Sequence, residues 1–195
     1  MRTLLRHAIV VLATIACLAG AGAADLDAGK DLYAGCAGCH GENGVSTTDL
    51  TPSVAGQPDV YTQWQLIFYR IGKRKNEAMT GIAQALSNDD IRNLGGYLAT
   101  LTPPVAAKGA SPEVAEKGRA LSERFKCAAC HGDGFEGKQG AARLTGQRED
   151  YILQTLRDFK SGARTGQGLV NMTEIVGGLD DAELVALAAY VTAAH

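Results

Sequence analysis

The sequence carries no excess of positive charge. Its 19 lysines and arginines are outnumbered by 21 aspartates and glutamates, so the formal net charge is −2 at pH 7. Domains that bind nucleic acids present a basic face or stripe, and no basic run stands out here beyond GKRK at Gly72–Lys75. The charge balance therefore gives no support to a nucleic-acid partner.

Long runs of alternating β-branched residues are missing as well, so strands have little support. What remains are helical patterns separated by loops that contain glycine and proline, which predict an all-α fold. With 46% hydrophobic and 21% charged residues, the composition is that of a globular protein and not of a disordered chain. A length of 195 residues suits two domains.

The first 23 residues have the pattern of a secretory signal. Two arginines precede the apolar run AIVVLATIACLAG at Ala8–Gly20, and the small residues AGA follow it. The run is short for a membrane-spanning helix, so we predict cleavage after Ala23, with a retained anchor or a lipid on Cys17 as the alternatives. The rest of the chain is then expected to lie outside the cytoplasm.

Side chains that bind transition metals are scarce. The sequence contains five cysteines, four histidines and three methionines, and one of each lies in the predicted signal. One of the remaining histidines is the last residue, His195. Four cysteines in an exported protein would ordinarily suggest two disulfides, but their positions favour another interpretation.

The rest of the chain consists of two copies of one pattern. The copies predict an N-terminal domain at 24–101 and a C-terminal domain at 113–195. The linker at 102–112 contains paired prolines that prevent a helix from continuing. The recurring segments are CAGCH at Cys36–His40 and CAACH at Cys127–His131, AGQ at Ala55–Gln57 and TGQ at Thr145–Gln147, and MTGIA at Met79–Ala83 and MTEIV at Met172–Val176.

Each copy has the same predicted layout of helices. A first helix leads into the pentapeptide, an amphipathic helix follows, a loop with glycine and threonine carries the methionine, and a last helix closes the copy. The last helix is predicted from a capping residue followed by an acidic one, in SNDD from Ser87 and DDAE from Asp180. The first helices are predicted at about Ala28–Gly35 and Pro112–Lys126, and the amphipathic helices at about Asp59–Arg70 and Glu149–Ser161.

The pentapeptide C-x-x-C-H is typical of covalent haem attachment. Its cysteines face one side of a helical turn, where they can form thioethers with the two vinyl groups of a haem, and the adjacent His40 or His131 reaches the iron. A thioredoxin-like pair would need a βαβ pattern, a zinc site would need a second histidine, and two disulfides would leave the repeated histidine unexplained. The predicted haem-attaching residues are Cys36, Cys39, Cys127 and Cys130.

Each iron of an electron carrier needs a second axial ligand. Met79 and Met172 stand at matching places in the two copies, and spare histidines for two further imidazole ligands do not exist. A lone methionine is often an adaptable core residue, but one methionine per copy in such a loop favours ligation. Methionine opposite histidine raises the reduction potential and leaves no open position for oxygen or peroxide, which favours electron transfer.

With these motifs the chain resembles the dihaem cytochrome c4 family, exported bacterial electron carriers made of two class I cytochrome c domains. The resemblance covers about Asp25–His195 and rests on the recurring segments and on the tyrosines that follow AGQ and TGQ. It implies His/Met ligation of two covalently bound haem c groups, an approximate two-fold axis between the domains, and propionates that meet near the domain interface. It also implies upstream redox donors and electron delivery to a membrane-bound terminal oxidase, and it leaves peripheral membrane association open.

In such cytochromes a proline carbonyl accepts the hydrogen bond of the ligand histidine, and Pro52 matches that proline. In the second copy Ala142 stands at the same place. Because the acceptor is a backbone carbonyl, alanine can preserve the bond, but its loop is less rigid. We therefore expect the two haem potentials to differ.

Two other residue groups are interpreted structurally. Tyr97 and Tyr190 lie on the last helices, where we expect them to contact the first helix of each domain. The basic side chains that follow the first amphipathic helix are interpreted as a solvated helix end, with a docking patch or propionate contacts as the alternatives. These side chains are Arg70, Lys73, Arg74 and Lys75.

Two other functions remain open from the sequence. The chain could be the cytochrome subunit of a dehydrogenase complex, for example a flavocytochrome sulfide dehydrogenase or an alcohol dehydrogenase. It could also be an enzyme, such as a dihaem peroxidase or thiosulfate dehydrogenase, but these need an open ligand position or a cysteine ligand. No cysteine remains once the four in the motifs are used, so we predict an electron carrier and not an enzyme.

Overall fold

The computed structural model describes residues 22–106, 108, 110–165 and 172–194. Almost all of the signal predicted at 1–23 lies outside these residues, as does His195. The described residues form ten helices and no β-strand, which confirms the all-α prediction. Among them, no helix is long and apolar enough to cross a membrane.

The helices fall into two sets of five, with the prolines of the linker between them. The first set is α1 (Leu26–Tyr33), α2 (Ala37–His40), α3 (Asp59–Arg70), α4 (Glu77–Gln84) and α5 (Asn88–Thr100). The second set is α6 (Pro112–Arg124), α7 (Cys127–His131), α8 (Glu149–Ser161), α9 (Met172–Val176) and α10 (Asp181–Ala193).

Both sets pack in the same way. Helix α1 crosses α5 and α6 crosses α10, while α3 and α8 pack on the same last helices. Each set has its own buried cluster, built around Ile91 and Leu94 in the first and around Leu184 and Leu187 in the second. The two clusters share no residue, so each set is a domain with a core of its own.

Local signals set most helix ends. Helices α3 and α8 have the predicted bounds, and capping boxes at Ser87 and Asp180 start α5 and α10 as expected. The first helices end earlier than predicted, since α6 stops before Lys126, whose φ of 54° is left-handed.

The loop predicted around each methionine is wrong, because Met79 lies inside α4 and Met172 begins α9. The side chain of Asn76 caps α4 by accepting a hydrogen bond from the backbone N–H of Met79 (3.0 Å). Glycine and threonine in MTGIA favour a loop, and the cap at Asn76 favours the helix that the structure has.

Glycines permit the close crossing of the first and last helices in each domain. A Cβ on Gly29 would lie 2.7 Å from Cβ of Tyr97, and a Cβ on Gly118 would lie 2.5 Å from Cβ of Tyr190. Both tyrosines therefore sit at the crossing, as predicted. The backbone carbonyl of Ala186 would be only 2.3 Å from the added Cβ of Gly118, and a backbone atom cannot move aside without separating the helices.

We expect Gly118→Ala to lower the free energy of unfolding of the C-terminal domain by about 1–3 kcal/mol, the usual cost of overpacking. Denaturant unfolding followed by circular dichroism measures the change. Gly38→Ala is the control, because nothing lies within 4 Å of its added Cβ and the matching Ala129 already carries one. Equal stability of both variants would contradict the proposed close crossing.

Candidate haem sites

Each pentapeptide folds as a single helical turn. The backbone N–H of His40 donates to the carbonyl of Cys36 (3.0 Å), so Cys36 at the N-cap of the short helix α2 shares one turn with Cys39 and His40, which lie on that helix. Helix α7 holds Cys127, Cys130 and His131 in the same way. One turn thus presents two thiols and an imidazole in each domain.

The four cysteines in the described residues have free thiols, so they are not paired in the two disulfides that remained an alternative. The first cysteine of each motif is partly buried and the second is exposed. Burial raises the pKa of the Cys36 and Cys127 thiols, which keeps them protonated and limits their redox reactivity. These features do not favour a thioredoxin-like pair.

Both motif histidines are bound through one ring nitrogen to a backbone carbonyl. Nδ1 of His40 lies 2.9 Å from the carbonyl oxygen of Pro52, and Nδ1 of His131 lies 2.8 Å from that of Ala142. The alanine preserves the bond, as expected. Because a carbonyl only accepts, Nδ1 must carry the proton, and Nε2 keeps the lone pair that binds a metal.

The electrostatics of His131 also suit a ligand. Burial lowers its pKa, although the hydrogen bond to Ala142 opposes the shift, so the imidazole is kept neutral. A neutral imidazole is the form that coordinates a metal.

The methionines pack on the same cores as the cysteines. Met79 and Cys36 both contact the buried cluster of the N-terminal domain, and Met172 and Cys127 both contact that of the C-terminal domain. Two thiols one turn apart, an imidazole of fixed tautomer and one thioether per domain form a donor set that fits a haem c.

The domains are joined by a reciprocal pair of glutamines. Oε1 of Gln147 accepts from the backbone N–H of Ser53 (2.8 Å), and its Nε2 donates to the carbonyl of the same residue (2.8 Å). Gln57 makes the same two bonds with the backbone of Arg143, each of 3.0 Å. Gln57 is only 6% and Gln147 only 4% exposed, so these bonds are shielded from water.

A second reciprocal pair consists of arginines and tyrosines. Arg74 donates to the hydroxyl of Tyr151 (2.7 Å), and Arg164 lies 3.5 Å from the hydroxyl of Tyr61. Both guanidinium groups also donate to Oε1 of Gln65, at 2.8 and 2.9 Å. The interpretation of Arg74 as part of a solvated helix end is therefore wrong, because its side chain reaches across to the other domain.

The same arginines change the acidity of Tyr151. Burial alone would raise its pKa, but the positive charges of Arg74 and Arg164 lower it to about 8. Each guanidinium also stacks on an aromatic ring, that of Tyr69 or Phe159, at 4.5 or 4.7 Å from the centroid. Within the described ranges, these two guanidinium groups contact side chains of tyrosine, glutamine and phenylalanine.

The linker packs on the glutamine-bearing turns of both domains. Gly56 and Gly146 have φ values of 66° and 73°, in the left-handed region that favours glycine. A Cβ on Gly56 would be 2.5 Å from Cγ of Pro103, and one on Gly146 would be 2.3 Å from the carbonyl oxygen of Pro104. The paired prolines thus fix both turns at once.

Sequence reasoning missed the contacts between the domains. The glutamines were seen as part of the AGQ and TGQ segments, and their recurrence at matching positions was a signal of importance. Nothing in the repeat indicated that Gln57 contacts residue 143, which lies 86 positions away.

Comparisons with known protein families agree with a chain of two domains that each carry one C-x-x-C-H site. The Cytochrome c profile matches residues 26–102, and the profile described as cytochrome C oxidase, cbb3-type, subunit III matches residues 113–191. Fold, motifs and profiles together define a c-type cytochrome with two tandem domains and two covalently bound haem c groups.

Relatives narrow the class further. Cytochrome c4 of Azotobacter vinelandii is 32% identical over 192 residues, covering 89% of this chain and 90% of the relative. The crystal structure of reduced recombinant cytochrome c4 from Pseudomonas stutzeri superposes with a TM-score of 0.80 at 29% identity, over 89% of this chain and 100% of that one. The chain belongs to the cytochrome c4 family and is a dihaem electron-transfer cytochrome.

Another relative has a name that refers to a redox partner. The thiosulfate dehydrogenase electron acceptor of Thiomonas intermedia (strain K12) is 30% identical over 195 residues, covering 95% of this chain and 90% of the relative. Its similarity extends over both domains.

Proposed function

We propose that the protein carries single electrons in the periplasm from upstream redox proteins to a membrane-bound terminal oxidase. The two domains hold one haem each, and no substrate other than the electron is processed. The residues that would attach the haems are Cys36 and Cys39 in the first domain and Cys127 and Cys130 in the second, and the axial ligands would be His40 with Met79 and His131 with Met172.

The observation that carries this proposal is the hydrogen bond from each motif histidine to a backbone carbonyl. In the neutral imidazole the bond places the proton of His40 and His131 on Nδ1 and leaves Nε2 as the nitrogen that can bind iron, and it holds each ring in one orientation. When bound, the haem iron supplies the one-electron couple. The chain holds the imidazole in one tautomer, and Met79 or Met172 would supply a thioether as the second ligand of each iron.

The arginines between the domains would bind the haem propionates. Arg74 and Arg164 bring positive charge into the interface, where, in the part of the chain that the structure describes, they donate to tyrosine and glutamine side chains. Partly buried positive charge of this kind is stabilised by a nearby anion. Propionate carboxylates from both domains would supply that anion, in line with their expected meeting near the interface.

The upstream partner is a redox protein that donates single electrons. A relative named as the electron acceptor of thiosulfate dehydrogenase supports a dehydrogenase as one donor. A carrier that dissociates from its donor and a subunit that stays bound to a dehydrogenase complex would use the same two haems. They differ in whether a partner remains attached.

Electron exchange with candidate partners tests the proposal. Fully reduced protein is mixed with membranes that contain a terminal oxidase, and oxidation of the haems is followed by stopped-flow absorbance. We expect both haems to be oxidised, and cyanide to stop the reaction. In a second arm, oxidised protein is mixed with thiosulfate dehydrogenase and thiosulfate, and reduction is expected if that enzyme is a donor.

The remaining outcomes separate the alternatives. A flavoprotein or quinoprotein that co-purifies in fixed stoichiometry would replace the free carrier by a complex subunit. Turnover of thiosulfate or peroxide by the isolated protein would assign it an enzymatic role. Absence of oxidation by oxidase-containing membranes would overturn the proposed acceptor.

A further inference from the structure

The two glutamines bind residues that directly follow the ones that orient the proposed histidine ligands. Ser53 directly follows Pro52, whose carbonyl accepts the hydrogen bond from His40. Gln147, from the other domain, binds Ser53 on both its N–H and its carbonyl. The histidine of one domain and the glutamine of the other therefore act on adjacent backbone groups.

A single peptide group makes both the hydrogen bond to the histidine and the hydrogen bond to the glutamine. The carbonyl of Pro52 and the N–H of Ser53 belong to the same planar amide. Its N–H donates to Oε1 of Gln147 at 2.8 Å, and its C=O accepts from Nδ1 of His40 at 2.9 Å. The amide thus links glutamine and histidine in one chain of hydrogen bonds.

The second domain repeats the arrangement in the opposite direction. The amide between Ala142 and Arg143 accepts from Nδ1 of His131 at 2.8 Å and donates to Oε1 of Gln57 at 3.0 Å. Each domain therefore supplies a glutamine whose Oε1 accepts a hydrogen bond from the backbone amide of the other domain.

Hydrogen bonds in such a chain strengthen one another. An amide whose N–H is donated becomes more polarised, and its carbonyl becomes a better acceptor, by about 10–30% per bond in condensed phases. A stronger bond at Nδ1 makes the imidazole a more basic ligand. A more basic ligand stabilises the oxidised iron, so the bond to glutamine lowers the reduction potential.

We propose that Gln147 and Gln57 are positioning residues that act across the interface, each lowering the reduction potential of the haem in the opposite domain. This inference rests on the proposed ligation by His40 and His131. It makes the potential of each haem depend on the contact between the domains, since separation of the domains removes both glutamines from their amides.

The test is a reciprocal pair of substitutions in the full dihaem protein. Gln147→Leu removes both bonds to Ser53 and is expected to raise the potential of the N-terminal haem, with the C-terminal haem unchanged. Gln57→Leu is expected to do the reverse. Potentiometric titration followed by NMR of the haem methyl signals resolves the two haems, and each variant serves as the control for the other.

Asp49→Asn is a further control for a loosened interface. It removes the ion pair between the exposed Asp49 and Arg148 of the other domain (2.8 Å) without touching either amide, so both potentials should stay unchanged. A Gln147→Leu variant that shifts the haem of its own domain, or both haems equally, would overturn the inference. So would unchanged potentials in both glutamine variants.

A readout independent of the potential is the Nδ1 proton of the ligand histidine, observed by NMR in ¹⁵N-histidine-labelled reduced protein. Gln147→Leu should move the His40 signal upfield and leave that of His131 in place. If this variant does not fold, Gln147→Glu keeps an acceptor for the N–H of Ser53 and should shift the His40 signal downfield. An unmoved His40 signal in whichever variant folds would overturn the inference.

Failure of the ligand assignment would look different. If His40 and Met79 do not bind iron, Met79→Ala keeps a native spectrum, whatever the glutamine variants do. If the spectrum of that variant changes while the glutamine variants keep native potentials and native Nδ1 signals, the ligation stands and only the coupling is wrong.

Discussion

Replacing Met79 by alanine is expected to abolish the sulfur-to-iron charge-transfer absorption of one haem and to lower its reduction potential. The thioether of methionine favours reduced iron, and alanine offers no donor in its place. We expect a fall on the order of 0.2 V, well within the roughly 0.8 V that axial ligands span. For one electron this is about 5 kcal/mol. Absorption spectra and potentiometric titration measure the two effects.

The chain offers matched controls for this prediction. Met172→Ala should produce the same loss in the other haem, and the double variant should have no charge-transfer band at all. Ile82→Ala changes a side chain on the same helix, α4, that is 44% exposed, and should leave the spectrum native. Native spectra in both single methionine variants would show that the axial ligands are misassigned.

Joint replacement of Cys36 and Cys39 by alanine is expected to halve the covalently bound haem. The N-terminal domain would have no thiol for thioether formation, whereas Cys127 and Cys130 remain in the C-terminal domain. The pyridine haemochrome assay and the mass of the denatured chain should each report one haem per chain. Because a cofactor stabilises only the fold that binds it, the N-terminal domain should also unfold at a lower temperature.

The matching pair of substitutions in the C-terminal domain tests the same prediction for the other haem. Alanine at Cys127 and Cys130 should leave the haem of the N-terminal domain, and its potential can then be assigned without interference. A single substitution, Cys39→Ala, should keep one thioether and so retain the haem. Two covalent haems in either double variant would contradict attachment at the motifs.

How much the sequence could predict depended on distance along the chain. Signals confined to a few residues correctly predict the bounds of α3 and α8 and the capping boxes at Ser87 and Asp180. The helix at Met79 was missed, because its cap, Asn76, lies three positions earlier and the glycine after it suggested a loop. Local propensity was a weak guide there.

The contacts between the domains could not be predicted from the sequence, because the residues that form them are far apart in the chain. Arg74 and Tyr151 are separated by 77 positions, and a basic residue after a helix is far more often solvated than buried. The tyrosine and arginine of each copy were visible, but the repeat alone could not show that each binds its counterpart in the other domain. Only the packing of the two domains brings them together.

The reciprocal contacts between the domains have the form of a symmetric dimer. In such an interface, residue i of one chain meets residue j of its partner and j meets i, as Gln57 and Gln147 do here. In a dimer of identical subunits, the two sites have identical residues. In one fused chain each half can change alone, and the backbone positions that the two glutamines bind differ: one is Ser53 and the other is Arg143.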